Sequence, residues 1–358
     1  MINNKQNILT VLVCLCAGLI LAGCGERPPV DSQQVGYRGT AMVNFTNPRV
    51  EAATEAANAV PAALPAVPGD GPRAGEVYQN VQVLGDLSVA EFARVMLAIS
   101  NWVAPEQQCA YCHADGESLA SDSLYTKVVA RKMLEMNRDI NVNWTAHVQQ
   151  TGVTCYTCHR GKAVPESIWF ADPGPVTAGG GVAGSRMGQN TPATATALTS
   201  LPYDPFTPYL LDAGPIRLAT DQALPADNDL NVKAAEGTYA LMMHFSDGLG
   251  VNCTFCHNSR AFASWSESNP QRVTAWHGIQ MARSLNNEYL VPLTSTFPAS
   301  RLGPLGDVAK VNCQTCHQGV SKPLYGVSMF ADYPELGAPK APAAQPAEGE
   351  AVAAAATD

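Results

Sequence analysis

The sequence predicts a mainly α-helical chain with long irregular segments, and three observations carry that expectation. Four apolar stretches recur every three to four residues, the spacing of one face of a helix. Each precedes a copy of the same motif, Cys-X-X-Cys-His, at Cys109–His113, Cys155–His159, Cys253–His257 and Cys313–His317. Between them lie stretches dominated by Gly, Pro, Ala and Thr; the 358 residues include 29 Gly and 26 Pro, and aromatics make up only 7%. A chain so poor in large apolar side chains needs something besides them to fill its interior.

The motif says what that is. Cys-X-X-Cys-His is the attachment site of a c-type haem: two thiols bond the macrocycle as thioethers, and the adjacent imidazole ligates the iron on one face. Four copies, in a chain with 11 cysteines and 7 histidines, are not coincidence. Four covalently bound haems are therefore expected. Haem 1 takes Cys109, Cys112 and His113; haem 2 takes Cys155, Cys158 and His159. Haem 3 takes Cys253, Cys256 and His257, and haem 4 takes Cys313, Cys316 and His317. The porphyrins then act as the core around which short helices pack. Zinc is the competing use of paired cysteines, but it does not require a histidine directly after every second one.

Taken in order, residues 1–23 read as a secretory signal. Lys5 gives a positive start, Ile8 to Ile20 form an apolar stretch, and Leu21-Ala22-Gly23-Cys24 closes it. The ending resembles a bacterial lipobox, so Cys24 is expected to be acylated and to anchor the chain at a membrane. The apolar run is short for a membrane-spanning helix, which needs about 20 residues. Cysteine arithmetic then closes: Cys14 and Cys16 leave with the leader, Cys24 takes lipid, and eight bind haem. Residues 24–86 read as an extended arm, within which Tyr78 to Leu87 alternates weakly and predicts a short strand pair.

Residues 87–170 form a first two-haem module. Ser88 with Glu91 three residues on is a capping box, after which Phe92, Val95, Met96, Ile99 and Val103 make one apolar face ended by Pro105. Tyr125, Val129, Met133, Met136 and Ile140 line a second helix. Residues 171–230 read as a linker and connecting segment. The second two-haem module, 231–335, has a helix from about Val232 to Phe245 that stops at Gly248. Another opens on Asn269-Pro270, a cap followed by proline at the first helical position, and runs to about Tyr289. The Ala/Pro/Glu-rich tail, 336–358, is expected to be disordered. The modules repeat one another: Met96-Leu-Ala-Ile-Ser100 aligns with Met242-Met-His-Phe-Ser246, and Met136-Asn-Arg-Asp-Ile-Asn141 with Met281-Ala-Arg-Ser-Leu-Asn286.

An iron that only relays electrons needs both axial positions filled, because an open one would bind oxygen or small anions. Methionine opposite histidine raises the potential, and a second histidine generally gives a lower one. Met96 on the helix before His113 and Met242 on the helix before His257 are the candidates for haems 1 and 3. Met133 and Met136 share a helix face, and spacing leaves both open for haem 2. Haem 4 has no methionine, since the repeat puts Gly278 where Met133 sits. His147, in Asn143-Trp-Thr-Ala-His147-Val, belongs to no motif; it is expected to reach across to haem 4 and tie the halves together. His244 and His277 compete for such roles. His244 lies about 200° round a helix from Met242, so the two cannot face one haem, and surface or propionate contacts are the default for both histidines.

With 22 Lys and Arg against 31 Asp and Glu, the net charge is −9, and eight propionates make it more negative. Such a surface repels nucleic acid and favours a basic partner. Glu106, Asp115, Glu117 and Asp122 flank the first motif and would steer one electrostatically.

These residues resemble a family over nearly the whole chain: the tetrahaem cytochrome subunit of purple bacterial photosynthetic reaction centres. The likeness rests on Val153-Thr-Cys-Tyr-Thr-Cys-His-Arg-Gly161, Asn252-Cys-Thr-Phe-Cys-His-Asn258 and Cys313-Gln-Thr-Cys-His-Gln-Gly319. It continues outside the motifs in Val129-Ala-Arg-Lys-Met-Leu-Glu-Met136, Ala299-Ser-Arg-Leu-Gly303 and Asp332-Tyr-Pro-Glu-Leu-Gly337. The resemblance implies Met96, Met133 and Met242 as sixth ligands of haems 1 to 3 and His147 as that of haem 4. It also implies a row of haems, with haem 3 nearest the photo-oxidised bacteriochlorophyll pair and haem 1 farthest, near a docking site for a soluble donor. Arg272 becomes a candidate for holding a propionate or raising the haem 3 potential. The implied partners are the reaction-centre L and M subunits and a soluble cytochrome c or high-potential iron–sulfur protein, at the periplasmic face of the cytoplasmic membrane. The expectation is thus an electron carrier, not an enzyme. The alternatives are a multihaem oxidoreductase with an open haem site and a respiratory electron conduit.

Overall fold

A computed structural model describes residues 30–34, 43–174, 192–216, 218 and 231–339. The leader, Cys24, most of the 171–200 stretch and the tail beyond residue 339 lie outside the described residues. The frame is mainly helical with long irregular connections, as the periodicity predicts.

Two short antiparallel strands, β1 (Asp31–Gln34) and β2 (Val43–Thr46), precede α1 (Pro48–Ala57). The expected strand pair at Tyr78–Leu87 does not form. After the single turn α2 (Ala74–Val77), the chain folds back so that Ala74 N–H donates to Leu87 O (2.8 Å) and Gly75 N–H to Gly85 O (3.1 Å). A Cβ on Gly75 would lie 3.2 Å from Gly85 Cα, so backbones meet here without side chains between them. The weak alternation came from exposed amides, Gln79, Asn80 and Gln82, rather than from a buried face.

Helix α3 (Val89–Val103) starts at the expected capping box, with Glu91 N–H on Ser88 Oγ (3.2 Å) and Ser88 N–H on Glu91 Oε2 (3.0 Å), and stops short of Pro105. It buries Val95, Ala98 and Trp102. Helix α4 (Tyr125–Asn143) follows the first motif, the short α5 (Thr145–Val148) carries His147, and α6 (Cys155–His159) is the second motif itself. Helix α7 (Val232–Leu249) runs past Gly248 and closes at Gly250, whose φ of 62° is the left-handed conformation of a helix end. Gly248 serves packing instead: a Cβ there would lie 3.2 Å from the Gln314 Cβ of α9 (Cys313–His317). Helix α8 (Gln271–Ser284) continues into a wider turn, Leu285–Leu290. Asn269 does not cap it; its amide donates to Thr254 O (2.8 Å) and Phe255 O (3.1 Å) in the third motif. The last helix is α10 (Met329–Asp332).

The buried apolar residues form three separate clusters rather than one. One joins α3 to the C-terminal segment through Leu84, Val95, Trp102, Tyr333 and Leu336. Another seats Phe206, Tyr209 and Leu210 against Leu241 and Ile279. The first three of these fall in the stretch that composition reads as connecting segment; carbonyls of Tyr209 and Leu210 are held by Arg283 (2.9 Å) and Asn286 (2.9 Å).

The two halves interlock. Arg94 of α3, 5% exposed, pairs with Glu335 (3.2 Å), donates to the carbonyls of Leu64 and Asp332 (both 2.8 Å) and lies 4.0 Å over the Tyr333 ring. Arg138 of α4 forks onto Asp86 and also reaches Glu335 O (3.1 Å). No helix among the described residues is long and apolar enough to cross a membrane.

Candidate haem-binding sites

The four motifs fold in two ways. The second and fourth are single α-turns, α6 and α9, with reciprocal caps at Thr154/Thr157 and Asn312/Thr315. Both end in a left-handed residue, Arg160 (φ 49°) and Gln318 (φ 48°), followed by Gly161 and Gly319, also at positive φ. The first and third wind more tightly, as 3-10 turns at Gln108–Tyr111 and Cys253–Phe255.

All four motif histidines are anchored alike, by Nδ1–H to a backbone carbonyl. His113 donates to Leu119 O (3.0 Å), His159 to Lys162 O (2.8 Å), His257 to Phe262 O (3.0 Å) and His317 to Val320 O (3.0 Å). His147 makes the same bond, to Thr274 O (2.9 Å). Such a bond fixes the tautomer and leaves the Nε2 lone pair for a metal. Burial lowers the pKa of all five rings, that of His317 to about 4, so they stay neutral, the form a metal requires. Neither His244 nor His277 has a carbonyl partner of this kind among the described hydrogen bonds. His244 is not at the surface: it is 1% exposed, edge-on to Phe206 at 4.7 Å, with Nε2 unpartnered.

The structure places His147 beside His317 and Gly278, far along the chain. Its ring centroid lies 6.1 Å from that of His317, a spacing that admits one metal between two nitrogens each bonded at about 2 Å. The reason no methionine stands at 278 is also visible: a Cβ on Gly278 would sit 2.5 Å from His147 Cε1. Met96, Met133, His113, His159, His147 and His317 all line one continuous cavity of about 1590 Å³. That exceeds the few hundred to 1,000 Å³ of a single-ligand pocket. Met136 lines it too, but packs against the Ile140–Met281–Leu285 cluster, whereas Met133 does not. Met242 and His257 lie outside this cavity, Met242 packing beside Leu241 and Phe245.

Among the described residues, no disulfide joins any of the eight motif cysteines. Burial pushes Cys112 and Cys256 up to about 11 and Cys155 and Cys313 to about 12. No group of three or more His, Cys, Asp or Glu among the described residues converges on a metal position. Cys158 and Cys316 touch side chain to side chain, so the second and fourth motifs abut. The residues after the two histidines cross over reciprocally, Arg160 Nη2 to Cys316 O (3.3 Å) and Gln318 Nε2 to Cys158 O (3.4 Å).

Charge around the first motif is less uniform than composition suggests. Glu106, Asp115 and Glu117 are exposed, but Asp122 takes both guanidinium nitrogens of Arg131 (2.8 and 2.6 Å) and lies 3.3 Å from Lys127 Nζ. Arg131 drives the Asp122 carboxyl well below its usual range. Near the third motif, Arg272 donates to Ser264 O (2.7 Å) and Ser268 Oγ (2.6 Å) and stacks 4.1 Å over Trp265.

Paired thiols beside anchored neutral imidazoles, on a mainly helical frame, define a c-type cytochrome, an electron carrier with covalently bound haem. A model of the photosynthetic reaction centre cytochrome c subunit family matches residues 26–337, and the chain belongs to that family. It is 55% identical to the photosynthetic reaction center cytochrome c subunit of Rubrivivax gelatinosus, over 95% of this chain and 93% of the relative. It is 50% identical to that of Thermochromatium tepidum, over 92% and 81% respectively. At 26% identity it also matches the cytochrome c-554 of Chloroflexus aurantiacus, over 70% of each chain.

Proposed function

We propose that this chain is the tetrahaem electron relay of a photosynthetic reaction centre, docked on its L and M subunits. Cys24 carries the lipid that holds it at the periplasmic face of the cytoplasmic membrane. Bound at the four motifs, haems would supply the one-electron redox chemistry that lets the chain accept from a soluble cytochrome c or high-potential iron–sulfur protein and re-reduce the photo-oxidised bacteriochlorophyll pair.

The chain's own residues do the rest. Cys109 and Cys112, Cys155 and Cys158, Cys253 and Cys256, and Cys313 and Cys316 hold the macrocycles covalently. His113, His159, His257 and His317 would each ligate one iron, with Met96, Met133, Met242 and His147 as the second protein ligands of haems 1 to 4 in that order. The observation that carries this reading is the common anchoring of His147 and the four motif histidines, five rings with Nδ1 committed to a carbonyl at 2.8–3.0 Å. The packing of Met136 into an apolar cluster supports Met133 as the ligand. The Cys158–Cys316 contact supports placing haems 2 and 4 side by side in the middle of the row.

Local geometry also supports a duplicated two-haem module. Gly161 N–H donates to Trp102 O (2.8 Å) and Gly319 N–H to Gly248 O (2.9 Å), and Trp102 and Gly248 occupy equal offsets from Met96 and Met242. Two tests apply. The pyridine haemochrome of the purified chain gives four haems per polypeptide, and affinity capture brings down the L and M subunits. A ratio well below four, or capture without reaction-centre subunits, contradicts the reading.

A further inference from the structure

Lys127 is an unusual lysine. It is 8% exposed, and its three N–H groups meet three acceptors: Leu119 O (2.7 Å), Ser121 O (2.7 Å) and Asp122 Oδ1 (3.3 Å). Burying an ammonium is costly unless it is fully paired, and here it is. The first of those acceptors is the carbonyl that orients His113, so a single oxygen, Leu119 O, receives both Lys127 Nζ–H and His113 Nδ1–H (3.0 Å). The other anchored histidines differ. Among the described hydrogen bonds, Lys162 O and Val320 O take only the imidazoles of His159 and His317. Phe262 O takes His257 and, at a long 3.4 Å, Arg272, whose guanidinium makes shorter bonds to Ser264 and Ser268.

We infer that Lys127 is a positioning residue that raises the reduction potential of haem 1 through the shared Leu119 carbonyl. The inference rests on the reading that haem 1 is held at Cys109, Cys112 and His113. A carbonyl hydrogen bond makes a ligating imidazole more basic and so favours ferric iron. A carbonyl oxygen already bonded to an ammonium is a weaker acceptor, so His113 gains less of that basicity and the ferrous state is favoured. The local charge acts in the same direction. Lys127 and Arg131 set two cations against the one carboxylate they touch, that of Asp122, while the exposed Glu117 accepts from Ser121 Oγ. Positive charge in a partly buried site stabilises the more reduced, less positive iron. The same three bonds pin the loop from Ala114 to Leu124 around the motif.

The test is a redox titration of the intact, haem-loaded complex, with haem 1 identified as the component that Met96→His lowers. Lys127→Met keeps the length of the side chain and removes its charge. It lowers that component by about tenfold in the ferric/ferrous equilibrium, some 59 mV for a one-electron couple, and Lys127→Arg restores most of the shift. Asp122→Asn removes the opposing carboxylate and moves the same component upward. Opposite signs from the two variants cannot come from simple loosening of the loop. If Lys127→Met fails to assemble, Asp122→Asn alone decides. Four haems per chain, a component that answers to Met96→His, and no movement in Asp122→Asn, or movement of both variants the same way, would overturn the inference. A missing haem, with no component answering to Met96→His, would instead sink the underlying reading.

Discussion

Gly278→Ala tests the proposal that His147, from the first half of the chain, is the second protein ligand of haem 4. The added Cβ would fall 2.5 Å from Cε1, 2.8 Å from Nδ1 and 3.1 Å from Nε2 of His147. Comfortable contact needs about 3.5–4.0 Å, so the ring must retreat by about 1 Å. A retreat of that size takes Nδ1 out of hydrogen-bonding range of Thr274 O, now at 2.9 Å. Overpacking costs about 1–3 kcal/mol, and the lost bond to a buried carbonyl about 1 kcal/mol or more. A metal–nitrogen bond of about 2 Å does not survive a 1 Å displacement. The variant therefore keeps all its haem but opens one axial position, seen as a carbon monoxide shift in a single haem of the ferrous spectrum and loss of one low-spin ferric signal. His147→Ala gives the same spectrum, and the double variant is no worse than either alone, because both act at one contact. A Gly278→Ala protein with unchanged low-spin signals and no carbon monoxide binding would refute the assignment of His147.

Other outcomes follow from the same geometry. Met133→His lowers one haem potential on the order of 0.1 V, whereas Met136→Leu leaves all potentials in place; the reverse result in a redox titration exchanges their roles. Arg94→Met leaves Glu335, 6% exposed, without its cation, and lowers stability by about 3–5 kcal/mol in denaturant titration; a loss below about 1 kcal/mol would mean the interlock of the halves is not structural. Donor oxidation slows as salt rises from about 0.01 to 0.15 M, where the screening length falls from about 30 to 8 Å, because Glu106, Asp115 and Glu117 stay exposed near the first motif. Salt-independent turnover removes the steering role.

How much of this was legible depended on how local each signal is. The Ser88–Glu91 box, the face of α3 and the four motifs are short-range patterns, and the structure forms the box and the helix where the residues place them. Gly278 was legible through the repeat as a missing side chain, and the structure puts the His147 ring in that space. What the sequence hid is non-local. Nothing near Asp122 announces that Arg131 and Lys127 will neutralise it nine and five residues later. The stretch around Phe206 reads as connecting chain because its prolines and threonines mask three residues that pack against Leu241 and Ile279. Gly248 looked like a helix stop and is a packing notch for Gln314. Asn269 looked like a cap, yet its amide is drawn off by the third motif's carbonyls. In the last three cases a partner farther along the chain outcompeted a weak local preference.

The most direct measurement is a single-flash absorbance experiment on membranes carrying this chain, following the α-band of c-type haem. A prompt bleach is expected after each flash, with recovery only when soluble donor is present. Membranes that hold the haem-loaded chain and photo-oxidise their pigment normally, yet never bleach the haem, would contradict it.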